Sequence, residues 1–409
     1  MGLDLTSFDA ALKSHYTDDR VENMVYADNP ALALLPKMEN FGGRDLPIPI
    51  IYGNPQGRSR NFVKAQAQGA ATSTRVTDFV LTRAKDYSIA TIDNETLEAS
   101  KGDANAFMDA ATTEIDGAIQ SLTRSLAISI YRGTDGSIGQ VSAEPSTNSG
   151  TFVITLARKS DAANFEVGQN IVIYSAKTGG SQRSSDGSDV VWPVAAVNRR
   201  AGTLTLTGTY DGSGTIDAND YLFVDGDRGA ALAGFEDWVP ESDPTSSLFF
   251  QVDRSVDVTR LGGNRLDATG LPIEEALIEA DSLVAGEGWG MDHFFINPTK
   301  FGDLKKALGS KVQYVDLQAN AKISFRGILV DGAKGPIKVV PDHNCPSNRV
   351  VGMKLAMWKL YSLGKAVRVI DTDGLQMLRQ SAADGVEVRY GYYANVGCRA
   401  PGSSINVQI

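Results

Sequence analysis

The spacing of apolar residues changes several times along this chain, and each change predicts a different kind of element. Near the start, Phe8, Leu12 and Tyr16 fall at helical steps, and Val21, Met24 and Val25 continue them after Asp18 and Asp19. Asn29-Pro30 breaks that pattern, and ALALLPK follows as a short apolar anchor. Residues 41–92 read as extended. Pro47 and Pro49 in RDLPIPIIYGN forbid both a helix interior and a central strand. NFVKAQAQGAATST is small and polar, like a loop tip, and RVTDFVLTRAKDYSIATI returns as a strand with Phe79, Leu81, Tyr87 and Ile89 on one face. A two-stranded arm with so few large apolar residues needs support from outside itself.

The strongest helical pattern spans 103–131. Phe107, Met108, Ala111, Ile115, Ala118, Ile119, Leu122, Leu126 and Ile130 recur at three- and four-residue steps. At about 1.5 Å per residue this helix is roughly 43 Å long, a strut more than a globular-domain helix. From 140 to 230 the chain turns to Ser, Thr, Gly and Val. TFVITLAR, FEVGQNIVIYS, VVWPVAAVN, GTLTLTGTY and DYLFVDGD alternate with Gly/Asn/Asp turns, which predicts a small β-barrel or sandwich. Beyond it, LPIEEALIEADSLVAGEG reads as a helix starting near Pro272, DHFFINP as a buried strand, and TKFGDLKKALG as a helix capped by Thr299 and ended by Gly309. Strands dominate thereafter. The class is α+β, and the length of 409 residues suggests two to three domains.

Composition narrows the function by exclusion. No apolar run approaches the ~18 residues of a membrane span, and the start lacks a basic stretch followed by an apolar one. Cys345 and Cys398 are far apart and outside any CxxC pattern, so they read as free buried thiols in a reducing compartment. A net charge of -10 opposes a chain whose main task is gripping nucleic acid, while allowing one that lines a DNA-filled container.

The motifs that would carry chemistry read more simply as structure. His15, His293 and His343 lack metal-ligand spacing. Gly286–Met291 has Met291 where a dinucleotide loop needs its last glycine, and follows a helix. Asp211–Asp217 lacks the glycine and glutamate of a calcium loop, and Asp371–Gly374 is a turn. No catalytic residue, metal or cofactor is expected.

Charge is unevenly distributed. Between 42 and 90 the seven basic residues Arg44, Arg58, Arg60, Lys64, Arg75, Arg83 and Lys85 face three acidic ones, Asp45, Asp78 and Asp86. The arm is thus +4 in an acidic chain. Just after it come Asp93, Glu95, Glu98, Asp103, Asp109, Glu114 and Asp116, against Lys101 alone. A basic arm beside an acidic strut base suggests that Arg58, Arg60, Lys64, Arg75, Arg83 and Lys85 of one subunit lie across those carboxylates of the next. The alternative is that the cations only protect a hairpin edge from aggregation.

Taken in order, these segments resemble the major capsid proteins of tailed bacteriophages of the Hong Kong 97 type. YADNPALALLPKMENFGG looks like the family's N-terminal arm, 42–92 like its extended loop, and 103–131 like its spine helix. DHFFINPTKFGDLKKAL, FRGILV and GPIKVVPDHNCPSNRVVGM look like the axial domain. The resemblance divides the chain into an N-arm (1–40), extended loop (41–92), peripheral domain with spine helix (93–139), inserted β domain (140–230), axial domain (231–370) and return to the peripheral domain (371–409). It implies pentamers and hexamers of this chain forming an icosahedral shell around double-stranded DNA, in a virion assembled in the bacterial host cytoplasm. It also implies a portal, cement or decoration proteins, and a separate scaffolding protein or none, since no long helical extension precedes the arm. Some members weld subunits through a lysine–asparagine isopeptide bond, for which Lys64 is the residue at the loop tip, and many form none. An encapsulin-like compartment of the same fold is the alternative, and another β-rich virion component a more distant one.

Overall fold

The computed structural model describes residues 21, 24–93, 95, 104–145, 150–184, 190–210, 216–309, 313–318, 324–371, 375, 377–380 and 384–409, with backbone only at 104–111. Two sheets and one barrel carry the α+β architecture, each with apolar residues on the side it buries.

The first sheet has six strands: β1 (Lys37–Met38), β4 (Ala84–Asp93), β19 (Trp358–Ser362), β20 (Arg368–Val369), β21 (Met377–Arg379) and β22 (Gly385–Cys398). The long strand β22 organises it, pairing with β4 along one edge and with β21, β20 and β19 in succession along the other. Helix α3 (Ala104–Tyr131) packs across β4 and β22. Its buried residues Ile115, Ile119, Leu122, Leu126 and Ile130 keep the expected spacing; Phe107, Met108 and Ala111 fall where only backbone is described. Short helix α1 (Pro30–Leu34) lies in the same core. Pro30 opens this helix rather than simply ending the one before, because a first-turn proline gives up no intrahelical bond. The expected helical residues Phe8, Leu12 and Tyr16 lie outside the described residues.

The second sheet orders seven strands as β13 (Asn264–Asp267), β23 (Ile405–Gln408), β18 (Arg349–Met353), β14 (His293–Ile296), β17 (Gly335–Pro341), β16 (Ser324–Gly332) and β15 (Gln313–Gln318). Every residue of β14 is buried. Phe294 and Ile296 point into the core beneath helices α4 (Ile273–Gly286) and α5 (Pro298–Leu308), and Phe295 into the core under α3, so the sheet is covered on both faces. Asn297, not Thr299, caps α5: its side chain accepts the Thr299 N–H at 3.1 Å.

Sheet membership crosses residue 370 in both directions. β19 belongs to the six-stranded sheet although it precedes 370, and β23 to the seven-stranded sheet although it follows. Hydrogen-bond partners, not chain order, decide membership.

Between the sheets in sequence stand β5 (Gly139–Gln140), β6 (Thr151–Thr155), β7 (Asn170–Tyr174), β8 (Trp192–Asn198), β9 (Thr203–Thr207) and β10 (Tyr221–Val224), ordered β5-β10-β7-β8-β9-β6. A bridge between Val141 and Leu156 joins the two outer strands, with Ser142 N–H donating to Thr155 O and Ala157 N–H to Gln140 O, both at 2.8 Å. These contacts close the ring at one end of the outer strands. Phe152, Trp192, Tyr210 and Phe165 fill it.

Candidate interaction surface: a protruding basic arm

Among the described residues, strands β2 (Asp45–Gly53) and β3 (Arg75–Thr82) form a two-stranded ribbon. A two-stranded ribbon has only edge strands, which is why Pro47 and Pro49 are accommodated. Ile48, Ile50, Phe79 and Leu81 form its inner face and join the core of the six-stranded sheet. The anchor is aromatic. The Phe79 ring lies 5.0 Å from Trp238 and 6.0 Å from Phe249, in the hairpin of β11 (Leu248–Phe249) and β12 (Val252–Asp253). Phe250 O accepts from Val80 N–H at 3.1 Å, fixing that hairpin to β3.

The strand expected from Arg75 to Ile92 is two strands, broken at Arg83. Phe79 and Leu81 are buried in β3, whereas Tyr87 and Ile89 of β4 are exposed and Ala90 and Ile92 buried. The break shifts the alternation by one residue, which exchanges the faces.

Beyond Gly53 and Arg75 the ribbon opens into a 54–74 excursion without a buried residue. The expected loop tip is helix α2 (Phe62–Ala71). Asn61 Oδ1 caps it, accepting from Val63 N–H at 3.0 Å and Lys64 N–H at 3.3 Å. The base of the tip closes where Gly57 meets Gly69; a Cβ on Gly57 would sit 2.8 Å from Gly69 Cα. Phe62 is 79% exposed and Val63 70%, and Ile51 and Val76, paired across the ribbon's outer face, are exposed as well.

Arg58, Arg60, Lys64 and Arg75 are exposed on this arm and make no ion pair among the described residues. Arg83 differs. Its Nη1 donates to Phe41 O at 2.6 Å and its guanidinium lies over the Phe41 ring, so it ties the ribbon's root to its own chain. Lys85 lies on β4, in the wall of a cleft. On the acidic side, Asp93, Glu95 and Glu114 are exposed and Asp116 is half-buried. Glu98 and Asp103 lie outside the described residues, and of Asp109 only the backbone is described.

Several buried polar groups carry no signal in the sequence. Arg349, 1% exposed, binds Glu236 at 3.3 Å and Glu241 at 2.6 Å, and Lys177 also pairs with Glu236. Burial alone would raise the Glu236 pKa; Arg349 and Lys177 outweigh it and hold the carboxyl at about 2. Arg132 meets Asp161 at 3.0 Å, both buried. Burial pushes the Cys345 and Cys398 thiols upward, so both sit as neutral thiols in the core. His293 Nδ1 lies 2.8 Å from Asp292, and His343 stands beside Asp342. His15 lies outside the described residues.

No family model matches the sequence, and no curated protein matches it. Solved structures do. The cyanophage A-1(L) capsid asymmetric unit aligns with 94% of this chain and 93% of its own at 10% identity, with a TM-score of 0.47. A chain of Mycobacterium phage Bobi aligns over 99% of both chains at 9% identity, with a TM-score of 0.44. The holo-SrpI encapsulin complex of Synechococcus elongatus PCC 7942 aligns with 92% of this chain and 85% of its own at 7% identity, again with a TM-score of 0.44.

Proposed function

We propose that this chain is the repeating subunit of an icosahedral shell of the Hong Kong 97 type, assembling as pentamers and hexamers around phage double-stranded DNA. The observation that carries the reading is the arm: a helix-tipped excursion of 21 residues, 54–74, with exposed Phe62 and Val63, cations that make no ion pair among the described residues, and no buried residue. Such a segment gains burial only from another molecule, and a second copy of this acidic chain offers the complementary charge.

In this reading Arg58, Arg60, Lys64 and Arg75 reach a neighbour's carboxylates near the base of α3, of which Asp93, Glu95 and Glu114 are exposed. Packaged DNA is touched loosely, since the net charge is -10. A scaffolding protein, a portal and cement proteins are the proposed partners, and the virion, assembled in the host cytoplasm, the proposed location. The subunit is structural and performs no chemistry; Lys64 is the residue through which an isopeptide crosslink would run.

Negative-stain microscopy and sedimentation of the purified chain test this. Closed particles are expected, with scaffold co-expressed where needed. Monomers alone at every salt concentration and temperature overturn the shell. Particles that copurify with an enzyme cargo instead of nucleic acid would favour the encapsulin-like alternative.

A further inference from the structure

The barrel formed by β5–β10 has an apolar core separate from the two cores of the body. Two segments connect it, 132–138 leading in and 225–234 leading out. The side-chain bonds that cross to the body are polar. Arg132 binds Asp161 at 3.0 Å, Arg158 binds Asn348 at 3.0 Å, Ser160 and Ser347 meet at 2.8 Å, and Lys177–Glu236 and Arg124–Glu166 are ion pairs. Between the barrel, α3 and β4 lies a cleft of about 1280 Å³.

Like charges gather where the connections meet. A Cβ on Gly133 would lie 2.7 Å from Asp237 Oδ1 and 3.0 Å from Asp135 Oδ2, so the two carboxylates converge on one point. They are held by backbone: Asp237 Oδ2 accepts Thr134 N–H at 2.6 Å, and Asp135 Oδ1 accepts Ser137 N–H at 2.7 Å. In the cleft, Asp86 of β4 faces Asp225 and Asp227 of the outgoing segment. Asp86 Oδ2 accepts from Ser125 Oγ at 2.6 Å and also bonds Tyr392. Burial, then Asp86 and Asp225, pushes Asp227 up to about 7. Burial, then Asp135 and Glu236 against the Thr134 bonds, pushes Asp237 up to about 6.

Most of the nearby charged groups have partners of their own, while Arg254 lies close enough to Asp237 for the two charges to attract. Arg124 is held by Glu166, Arg132 by Asp161, and Glu236 by Arg349 and Lys177. Arg254 donates to the backbone oxygen of Asp237, not to its carboxylate. Lys85, Asp28 and His343 remain on the cleft walls.

We propose that the barrel is a hinged unit whose two connecting segments form the joint, and that the carboxylates Asp86, Asp225, Asp227, Asp135 and Asp237 set its angle. Ionised, they repel and widen the cleft; sharing protons, they let the barrel close toward α3. The device is independent of the shell reading and would operate in the isolated subunit.

Gln120 on α3 and Val167 on the barrel are exposed on opposite walls of the cleft, and both native cysteines are buried. Gln120→Cys and Val167→Cys therefore accept spin labels selectively, and double electron–electron resonance reads the gap. The distance distribution is expected to move to longer values between pH 5 and pH 8. With Asp227→Asn and Asp237→Asn added, the pH 5 distribution is expected to persist at pH 8. A distribution unchanged with pH in the chain with native carboxylates overturns the proposal, as does a shift that survives both asparagines. The native-carboxylate titration decides the question even if the asparagine chain fails to fold.

Discussion

The Tyr131 hydroxyl donates to Asp342 Oδ2 at 2.9 Å, and the same oxygen accepts the Ala31 N–H at 3.1 Å. One buried carboxylate thus joins the last residue of α3, the first turn of α1 and the end of the seven-stranded sheet. Its other oxygen accepts from Asn344 N–H and Nδ2, and Asn344 reaches Asn29 Oδ1 at 2.9 Å. Hydrogen bonds to a charged group contribute about 1.5–3 kcal/mol each. Tyr131→Phe is therefore expected to lower unfolding stability by about that much. Asp342→Ala should cost more, because it leaves several buried donors unmatched, and should speed proteolysis between residues 24 and 35. Urea unfolding and limited proteolysis check both.

The arm is held at its root by Phe79 between Trp238 and Phe249, and the hairpin carrying Phe249 turns through Phe250 (φ 46°) and Gln251 (φ 70°). Left-handed backbone costs a non-glycine residue about 1–2 kcal/mol. Phe79→Ala should destabilise by about 3–5 kcal/mol through the cavity it leaves. Gln251→Gly should do the reverse, adding about 1 kcal/mol by relieving the turn. Denaturant midpoints of the two variants should move in opposite directions.

The parts of this fold that rest on local periodicity could be read from the residues. Helix α3 followed from Ile115, Ile119, Leu122, Leu126 and Ile130, and the barrel strands from their Val, Ile and Thr runs between glycine turns. Local spacing misleads where two signals compete. The arm tip lacks a buried stripe and so reads as a loop, yet Asn61 is a cap ahead of Phe62 and Val63 and then the good helix formers Lys-Ala-Gln-Ala-Gln. Arg83 shifts the alternation between two strands, and only the partner strands reveal the shift. The Tyr131–Asp342 bond and the closure at Val141–Leu156 depend on distant pairings that single-chain spacing does not encode. For the candidate surface, the cluster of arm cations was legible, but Arg83's engagement with Phe41 was not.

Three carboxyls give the stability a defined pH profile. Glu236 titrates at about 2 in the folded chain against an ordinary value of 4.5, so its stabilisation is complete above 4.5 and is lost as pH falls toward 2. Asp237 and Asp227, raised from 3.8 to about 6 and about 7, act in the opposite sense. Folded, they keep protons that the unfolded chain releases, so stability declines as pH rises from near 3.8 to 7. Glu236→Gln should flatten the acid side of the profile, and Asp227→Asn with Asp237→Asn the upper side. Urea midpoints measured from pH 3 to 8 on the three chains provide the check.

The arm tip separates folding from association. Residues 54–74 bury nothing within the chain, so deleting 56–74 and bridging the ribbon with a short turn should leave the thermal midpoint within a few degrees of the parent. The same deletion should sharply reduce particle yield, because the neighbouring subunit loses the contact that Phe62 and Val63 would make. Reversing Arg58, Arg60 and Lys64 to Glu isolates the electrostatic part. Exposed charges are screened over about 10 Å at 0.1 M salt, so this variant should assemble poorly at low salt and recover partly as salt rises. Sedimentation of each variant across a salt series reads the outcome. Normal assembly of the deletion chain would remove the arm from the contact, and a salt-independent defect in the reversal chain would assign the contact to packing instead of charge.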